Sequence, residues 1–395
     1  MRPSAFLKPR HDAPFRHRHP WVFSGALTRV EGSPEDGAEV DLRDADGAFV
    51  ARGLYNGRSQ IRVRLYSWDE AEALDAAFFR RRVGRAIALR RDILGWLTPG
   101  TACRLVFSEA DGLSGLVVDR YDDWLVVQLT SLALARRTEL LLDILSELTA
   151  ARGIYLRTEK GIGKQEGLEL SDRMARGAEP PDRIEIREHG LVFLVDVRVG
   201  HKTGWYLDQR QNRLAAARLA GGRRCLDVCC YTGGFAVGLA AAGAREVLGI
   251  DASAPALAIA AENARRNGQD RIGWRAGDAL AVLPELAEAG ERFDLIVLDP
   301  PRFAQSRKGL AQALRGYAFL NEAAARLLSP DGVLVTCSCS GRVSRDDFLR
   351  MLASVAVTTD RDLQVFAQTG AGHDHPVSAA CPESDYLKCF FCRVP

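Results

Sequence analysis

The sequence predicts an α/β chain built around a nucleotide-binding βαβ unit, preceded by a β-rich head and a small α+β middle. Three observations carry this. Cys225-Leu226-Asp227-Val228-Cys229-Cys230-Tyr231-Thr232-Gly233-Gly234-Phe235, then an Ala-rich run to Gly249-Ile250-Asp251, reads as strand, glycine turn, helix and a second strand ending on a carboxylate. Between residues 39 and 65, three short segments of alternating polarity are separated by turn residues. The 395 residues exceed one typical domain, for which about 150 is the working prior.

The head is drawn at residues 1–70. Glu39–Leu42, Ala48–Gly53 and Gln60–Leu65 read as strands, with Asp44–Gly47 and Asn56-Gly57 as turns. Before them, Arg2, Lys8, Arg10, Arg16, Arg18 and Arg29 face only Asp12, with three histidines interleaved and Trp21 and Phe23 following. Cations beside aromatics suit a surface that tracks phosphates and stacks bases. A solvated basic face has the same composition.

The middle is drawn at residues 71–185. Leu74, Ala77, Phe78, Arg81, Arg85, Leu89 and Asp92 recur at helix spacing, and six arginines between 80 and 91 make that helix basic. Contact with nucleic acid and solvation of one face both fit it. Strands are expected at 102–107, 116–119, 124–130 and 153–157, a helix at 137–151, and further strands within 184–197. No βαβ repeat is evident, so a second nucleotide fold is not expected.

The last segment, 186–395, carries the chemistry. Gly233 and Gly234 let backbone approach a ligand closely, and Asp251 is placed to accept both hydroxyls of a ribose. The three-glycine dinucleotide fingerprint is absent, so a nucleoside without phosphates is expected. Asp278 ends a third strand. A buried fourth strand, Phe293–Leu298, exits into Asp299-Pro300-Pro301, whose prolines fix the backbone. A fifth places Cys337 and Cys339 at its exit. Two more strands, 362–369 and 386–394, flank a His373-Asp374-His375 loop that is expected to lie near the active site or to be structural.

Composition narrows the class. A net charge of +2, 47% hydrophobic and 26% charged residues are those of a soluble globular protein. The N-terminus lacks a secretory apolar stretch, and the longest uncharged run, 228–244, is broken by glycines; no membrane span is expected. Nine cysteines, several too close together to pair, read as reduced thiols in a cytoplasmic protein. No metal site is expected.

The 225–251 stretch resembles the first motifs of the Rossmann-like class I methyltransferases, whose cofactor is S-adenosylmethionine. Arg18-His19-Pro20-Trp21-Val22-Phe23 resembles the start of a PUA domain, a small RNA-binding β-barrel. The order of head, middle and catalytic domain, together with Thr203-Gly204-Trp205-Tyr206-Leu207-Asp208-Gln209-Arg210-Gln211-Asn212-Arg213, is similar to that of the RlmI-like ribosomal RNA methyltransferases. The resemblance implies a seven-stranded catalytic sheet and RNA contact through Arg16, Arg18 and Trp21. It puts Asp227 near the methionine part of the cofactor, Asp251 at the ribose and Asp278 at the adenine amine. Tyr231, Thr232, Gly233, Gly234, Phe235, Ala252, Ser253, Ala279 and Asp299 complete the pocket, with Tyr206, Asp208, Gln209 and Arg210 lining it. Cys339 matches the family's nucleophile.

That assignment meets a chemical need. Carbon 5 of cytosine is a poor nucleophile, and thiolate attack on C6 turns it into an enamine-like carbon that can take a methyl group. Asp299 would hydrogen-bond the ring nitrogen or amine of the flipped base; Cys337 is expected to be a buried hydrophobe. Arg307 and Lys308 suit phosphate contacts or loop electrostatics. The expected activity is 5-methylcytosine formation in large-subunit ribosomal RNA or its assembly precursor. Two alternatives stay open: methylation of guanine N7, which needs no thiol, and a non-catalytic ribosome-assembly factor. A homodimer is also left open.

Overall fold

The computed structural model describes residues 2–158, 162–303 and 309–395. Arg307 and Lys308 lie outside these. The chain forms two compact units: Met1–Ile186 with Val195–Leu207 and Asp374–Ser384, and Arg187–Leu194 with Asp208–His373 and Asp385–Pro395.

The first unit holds two sheets. One has six strands, in the order Trp21–Phe23, Ile61–Ser67, Phe49–Tyr55, Glu39–Arg43, Ser4–Leu7, Leu27–Glu31. Its core is made by the inward residues of the alternating segments, Val40, Leu42, Ala51, Val63 and Leu65, all nearly or fully buried. The three strands before residue 32 escape a reading of polarity. They are short, and Leu27–Glu31 is an edge strand with no buried residue. The other sheet has five strands, Arg173–Gly177, Gly153–Leu156, Trp124–Leu129, Leu116–Tyr121 and Ala102–Phe107. The basic helix, Ala76–Ala88, is capped by Asp75, whose carboxylate accepts from the Phe78 N–H at 2.9 Å. It buries Phe78, Phe79, Val83 and Ile87 and leaves Arg80, Arg81 and Arg85 exposed, while Arg82 is half-buried.

The second unit is a seven-stranded sheet with helices between its strands. Its elements are α1 (Arg210–Ala217), β1 (Arg224–Val228), α2 (Gly234–Ala241), β2 (Glu246–Asp251), α3 (Ala254–Arg266), β3 (Ile272–Ala276), α4 (Ala279–Glu288) and β4 (Phe293–Leu298). There follow α5 (Leu310–Leu327), β5 (Leu328–Ser338), α6 (Arg345–Thr359), β6 (Gln364–Thr369) and β7 (Lys388–Val394). The strand order is β3-β2-β1-β4-β5-β7-β6. The pairs from β3 through β5 are parallel, and β7 runs antiparallel to both neighbours. Central strands covered on both faces read as continuous apolar runs, as Phe293–Leu298 does. The chain order reverses between β1 and β4, which opens a crevice at their carboxyl ends, where ligands bind in such sheets. Among the described residues, no helix is long and apolar enough to cross a membrane.

Candidate active site

The loop after β1 is held in an unusual backbone path. Cys229, Tyr231 and Gly233 all have positive φ, at 62°, 50° and 82°. A side chain tolerates this poorly, so two non-glycine residues here mark strain kept in place by packing. At Gly233 no alternative exists, because a Cβ would lie 2.9 Å from the Trp274 ring and 3.1 Å from Ala260 on α3. Asn263, fully buried on α3, donates to the Thr232 carbonyl at 2.9 Å and accepts from the Leu194 N–H at 2.8 Å. It staples the loop from below.

Carboxylates then fall at successive strand ends. Asp227, on β1, is fully buried; its Oδ2 accepts from the Ala236 N–H at 2.8 Å, while its Oδ1 makes no hydrogen bond among the described residues. Burial, reinforced by Asp299 and Asp251, pushes its carboxyl up to about 8. At the end of β2, Asp251 accepts from the N–H groups of Tyr231 and Ser253, both at 2.8 Å, which fixes the carboxylate and leaves lone pairs for hydroxyl donors. Ser253 in turn caps α3 through Ala256, and Ala252 between them is exposed. Asp278 caps α4, accepting from the Leu280 N–H at 2.9 Å, with Ala279 buried behind it. Asp299 follows β4, its N–H reaching the Val228 carbonyl at 3.4 Å. Thus β1 and β4 are still laced together where their carboxylates emerge. Thr232 and Phe235 are buried in the same loop and helix start, and the Thr232 hydroxyl has no partner among the described residues.

The Thr203–Arg213 stretch divides. Tyr206 belongs to the first unit, where the Lys202 ammonium lies 4.5 Å from its ring centroid. In the second unit, the Asp208 carboxylate accepts from the Tyr386 hydroxyl, and its carbonyl from the Gly372 N–H at 2.7 Å. Gln209 accepts from Asn212 at 2.6 Å. Arg210 and Arg213 both face the buried Glu188, at 3.6 and 2.6 Å. Burial works to raise the Glu188 carboxyl but the two guanidiniums outweigh it, so it is held below the usual range.

The two thiols of β5 part company. Cys337 is fully buried opposite Cys389 of β7, and the neighbouring Cys389 thiol, with burial, pushes it well up. Cys339 lies just past the strand end and is partly exposed. The Tyr317 hydroxyl bonds Ser340 at 3.0 Å beneath it, and the Phe303 ring packs edge-on against Tyr317 at 4.9 Å. Lys388, at the start of β7, escaped the sequence reading; its neighbours are apolar, and nothing local marks it.

In the first unit, Arg16 is engaged by Asp12 and Asp44, at 2.6 and 2.8 Å. The Trp21 Nε1–H donates to Glu109 at 2.9 Å. Arg18 instead lines a cavity of about 360 Å³ together with Arg82 and Arg85 of the basic helix. The cavity's carboxylates are committed elsewhere, Glu109 to Ser114, Trp21 and Arg64, and Asp111 to Arg90. None of Arg18, Arg82 and Arg85 has an ion-pair partner among the described residues. The Asp374-His375 pair of the tail loop is buried and bonds the Arg104 N–H and the Arg90 guanidinium, a structural role.

A family profile described as S-adenosylmethionine-dependent methyltransferase matches residues 117–360, and one described as PUA-like domain matches residues 6–68. The chain belongs to the S-adenosylmethionine-dependent methyltransferases. The Ribosomal RNA large subunit methyltransferase I of Erwinia tasmaniensis is 42% identical to this methyltransferase over 379 residues, 95% of this chain and 96% of its own. That of Escherichia coli O157:H7 is 41% identical with the same coverage. Among solved structures, SMU.776, a methyltransferase complexed with SAH, superposes with a TM-score of 0.87 at 19% identity over all of both chains. A methyltransferase from Streptococcus mutans follows with 0.85 at 18%. These likenesses bear on the fold. The methyltransferase's own residues fit its cofactor: a buried acceptor of Asp227 still lacking a donor, a fixed carboxylate at Asp251, and a loop in which a Cβ at Gly233 has no room.

Proposed function

We propose that this methyltransferase acts on C5 of a cytosine in large-subunit ribosomal RNA, or in its assembly precursor in the cytoplasm, through a covalent adduct at Cys339. The observation that carries the reading is the partly exposed thiol of Cys339 at the exit of β5, one strand from Asp299. Asp227, Asp251 and Asp278 would hold the methionine, ribose and adenine parts of the cofactor, with Asp208, Gln209 and Arg210 and the 231–235 loop shaping its pocket. When bound, the cofactor supplies an electrophilic methyl group. The Cys339 Sγ attacks C6 of the flipped base, forming a carbon–sulfur bond and moving the ring electrons to C5. Asp299 bonds the pyrimidine edge and holds it against the thiol. Once C5 carries the methyl group, loss of its proton to a base expels the thiolate and restores the ring. The domain limits 1–70, 71–185 and 186–395 divide this work into RNA capture, support and chemistry.

The product decides between chemistries. Nucleoside mass spectrometry of ribosomal RNA incubated with the protein and S-adenosylmethionine is expected to reveal new 5-methylcytidine. New 7-methylguanosine would reject the thiol chemistry, and no methylation of RNA or subunits would favour an assembly factor.

Capture of the RNA backbone is assigned to the arginine-lined cavity, with Arg18 as its sequence-predicted member. Three guanidiniums without carboxylate partners suit a phosphodiester, which Arg binds in two-pronged fashion. The double change Arg82→Ala and Arg85→Ala is expected to weaken RNA binding and to flatten its log–log salt dependence by about 1.5, at roughly 0.7–0.9 per lost phosphate contact. Fluorescence anisotropy with labelled RNA across salt concentrations measures this. An unchanged slope would remove the cavity from the interface.

A further inference from the structure

Lys388 is 2% exposed at the start of β7, paired in register with Ser338. A buried ammonium is costly unless its donors and its charge are both met. Two of its three donors are met by carbonyls, Ser340 at 2.7 Å and Tyr386 at 2.8 Å. Its charge is not matched by a carboxylate ion pair among the described residues. The groups that act on it electrostatically are, in order, Cys339 at the exit of β5, Asp385 just before β7, Arg345 on α6 and Arg302 after β4; it also bears on Asp347 of α6. The two arginines oppose the ammonium and Asp385 favours it, and the bond to the Ser340 carbonyl sets the ammonium beside the residue next to Cys339, whose sulfur would favour it when ionised. Burial first, and the arginines after it, bring the amine down to about 8, so it still carries its proton at neutral pH.

We propose that Lys388 is a positioning residue for Cys339, its ammonium stabilising the thiolate while its bond to the Ser340 carbonyl fixes the turn that carries the sulfur. This rests on the reading of Cys339 as nucleophile. At neutral pH Lys388 keeps its proton and forms no covalent bond; the thiol proton leaves to solvent. The geometry also accounts for a lysine at the head of a strand whose next four residues, Cys389-Phe390-Phe391-Cys392, are apolar and buried. Filling that position with an apolar side chain would leave the Ser340 and Tyr386 carbonyls bare and the sulfur without a cation.

The test is the rate of Cys339 alkylation by iodoacetamide in the full-length protein from pH 6 to 10, read peptide by peptide by mass spectrometry. Only the thiolate reacts, so the rate follows ionisation. Cys339 of the unaltered protein is expected to react appreciably at pH 7. Lys388→Met is expected to lower that rate at least about tenfold at pH 7 and to match the unaltered protein near pH 10, where both thiols are ionised. Lys388→Arg should recover part of the loss. A purely structural lysine would change the rate by one factor at every pH. That result, or an unchanged profile in a folded Lys388→Met protein, would overturn the proposal. Thermal melting and S-adenosylhomocysteine binding establish folding. Should the Met variant not fold, the unaltered protein decides alone: a Cys339 profile no more reactive at neutral pH than an ordinary cysteine overturns the proposal. Alkylation needs no RNA, so an activated Cys339 whose alanine variant still methylates RNA would sink the covalent reading and with it the positioning role, leaving only the stabilisation of the thiolate by Lys388.

Discussion

Replacing Cys339 with alanine is expected to abolish methyl transfer to RNA, by roughly a thousandfold or more, while cofactor binding changes less than about twofold. The asymmetry follows from position. The groups fitted to the cofactor lie at the ends of β1, β2 and β3, whereas Cys339 lies past β5, on the far side of β4. Without a sulfur to add to C6, C5 remains an aromatic carbon that does not take a methyl group. Cys337→Ala provides the internal contrast. That thiol is fully buried against Cys389, and a small residue there should preserve most of the activity at some cost in stability. Label transfer from S-adenosylmethionine and calorimetric binding measure both sides. An active alanine variant at 339 would make the cysteine incidental.

Asp227→Asn is expected to make the cofactor-free protein more stable at pH 8 and to weaken S-adenosylmethionine binding by about 10- to 100-fold, the worth of one charge-assisted bond. The sign follows from the titration. Asp227 releases its proton near 8 in the folded chain, against about 3.9 in an unfolded one. Between those values the folded state holds a proton that the unfolded state has lost. Stability therefore falls as pH rises through that window, and the penalty is complete above 8. Asparagine carries no charge to bury and can still accept from the Ala236 N–H, so this part of the pH dependence should vanish. A cationic ligand group beside the free Oδ1 relieves the same penalty in the natural protein. Calorimetric melting at pH 5 and pH 8, with and without cofactor, tests both halves. An asparagine variant with undiminished affinity would remove Asp227 from the pocket.

Much of the catalytic sheet was legible because its strands are apolar runs ending on polar turns. Phe293–Leu298 entering Asp299-Pro300-Pro301 is a buried central strand on sequence grounds alone, and it lies between β1 and β5. What escaped depended on distant partners. Trp21–Phe23 is a strand only because Ile61–Ser67 pairs with it. Asn263 looks like any helical asparagine until its amide meets Thr232 and Leu194. Lys388 gains meaning only from the carbonyls and the thiol that β5 brings to it. Spacing likewise could not separate Arg16, which two carboxylates claim, from Arg18, which faces a cavity.

The most direct test of covalent chemistry is to incubate the protein with S-adenosylmethionine and RNA carrying 5-fluorocytidine. Fluorine at C5 cannot leave as the proton does, so addition of the thiol and transfer of the methyl group would end in an adduct that does not collapse. The account predicts a protein–RNA species stable to denaturing gel electrophoresis, linked through the peptide containing Cys339 and absent from the Cys339→Ala protein. A methylating enzyme that forms no such species, or one that forms it through another residue, would contradict the account.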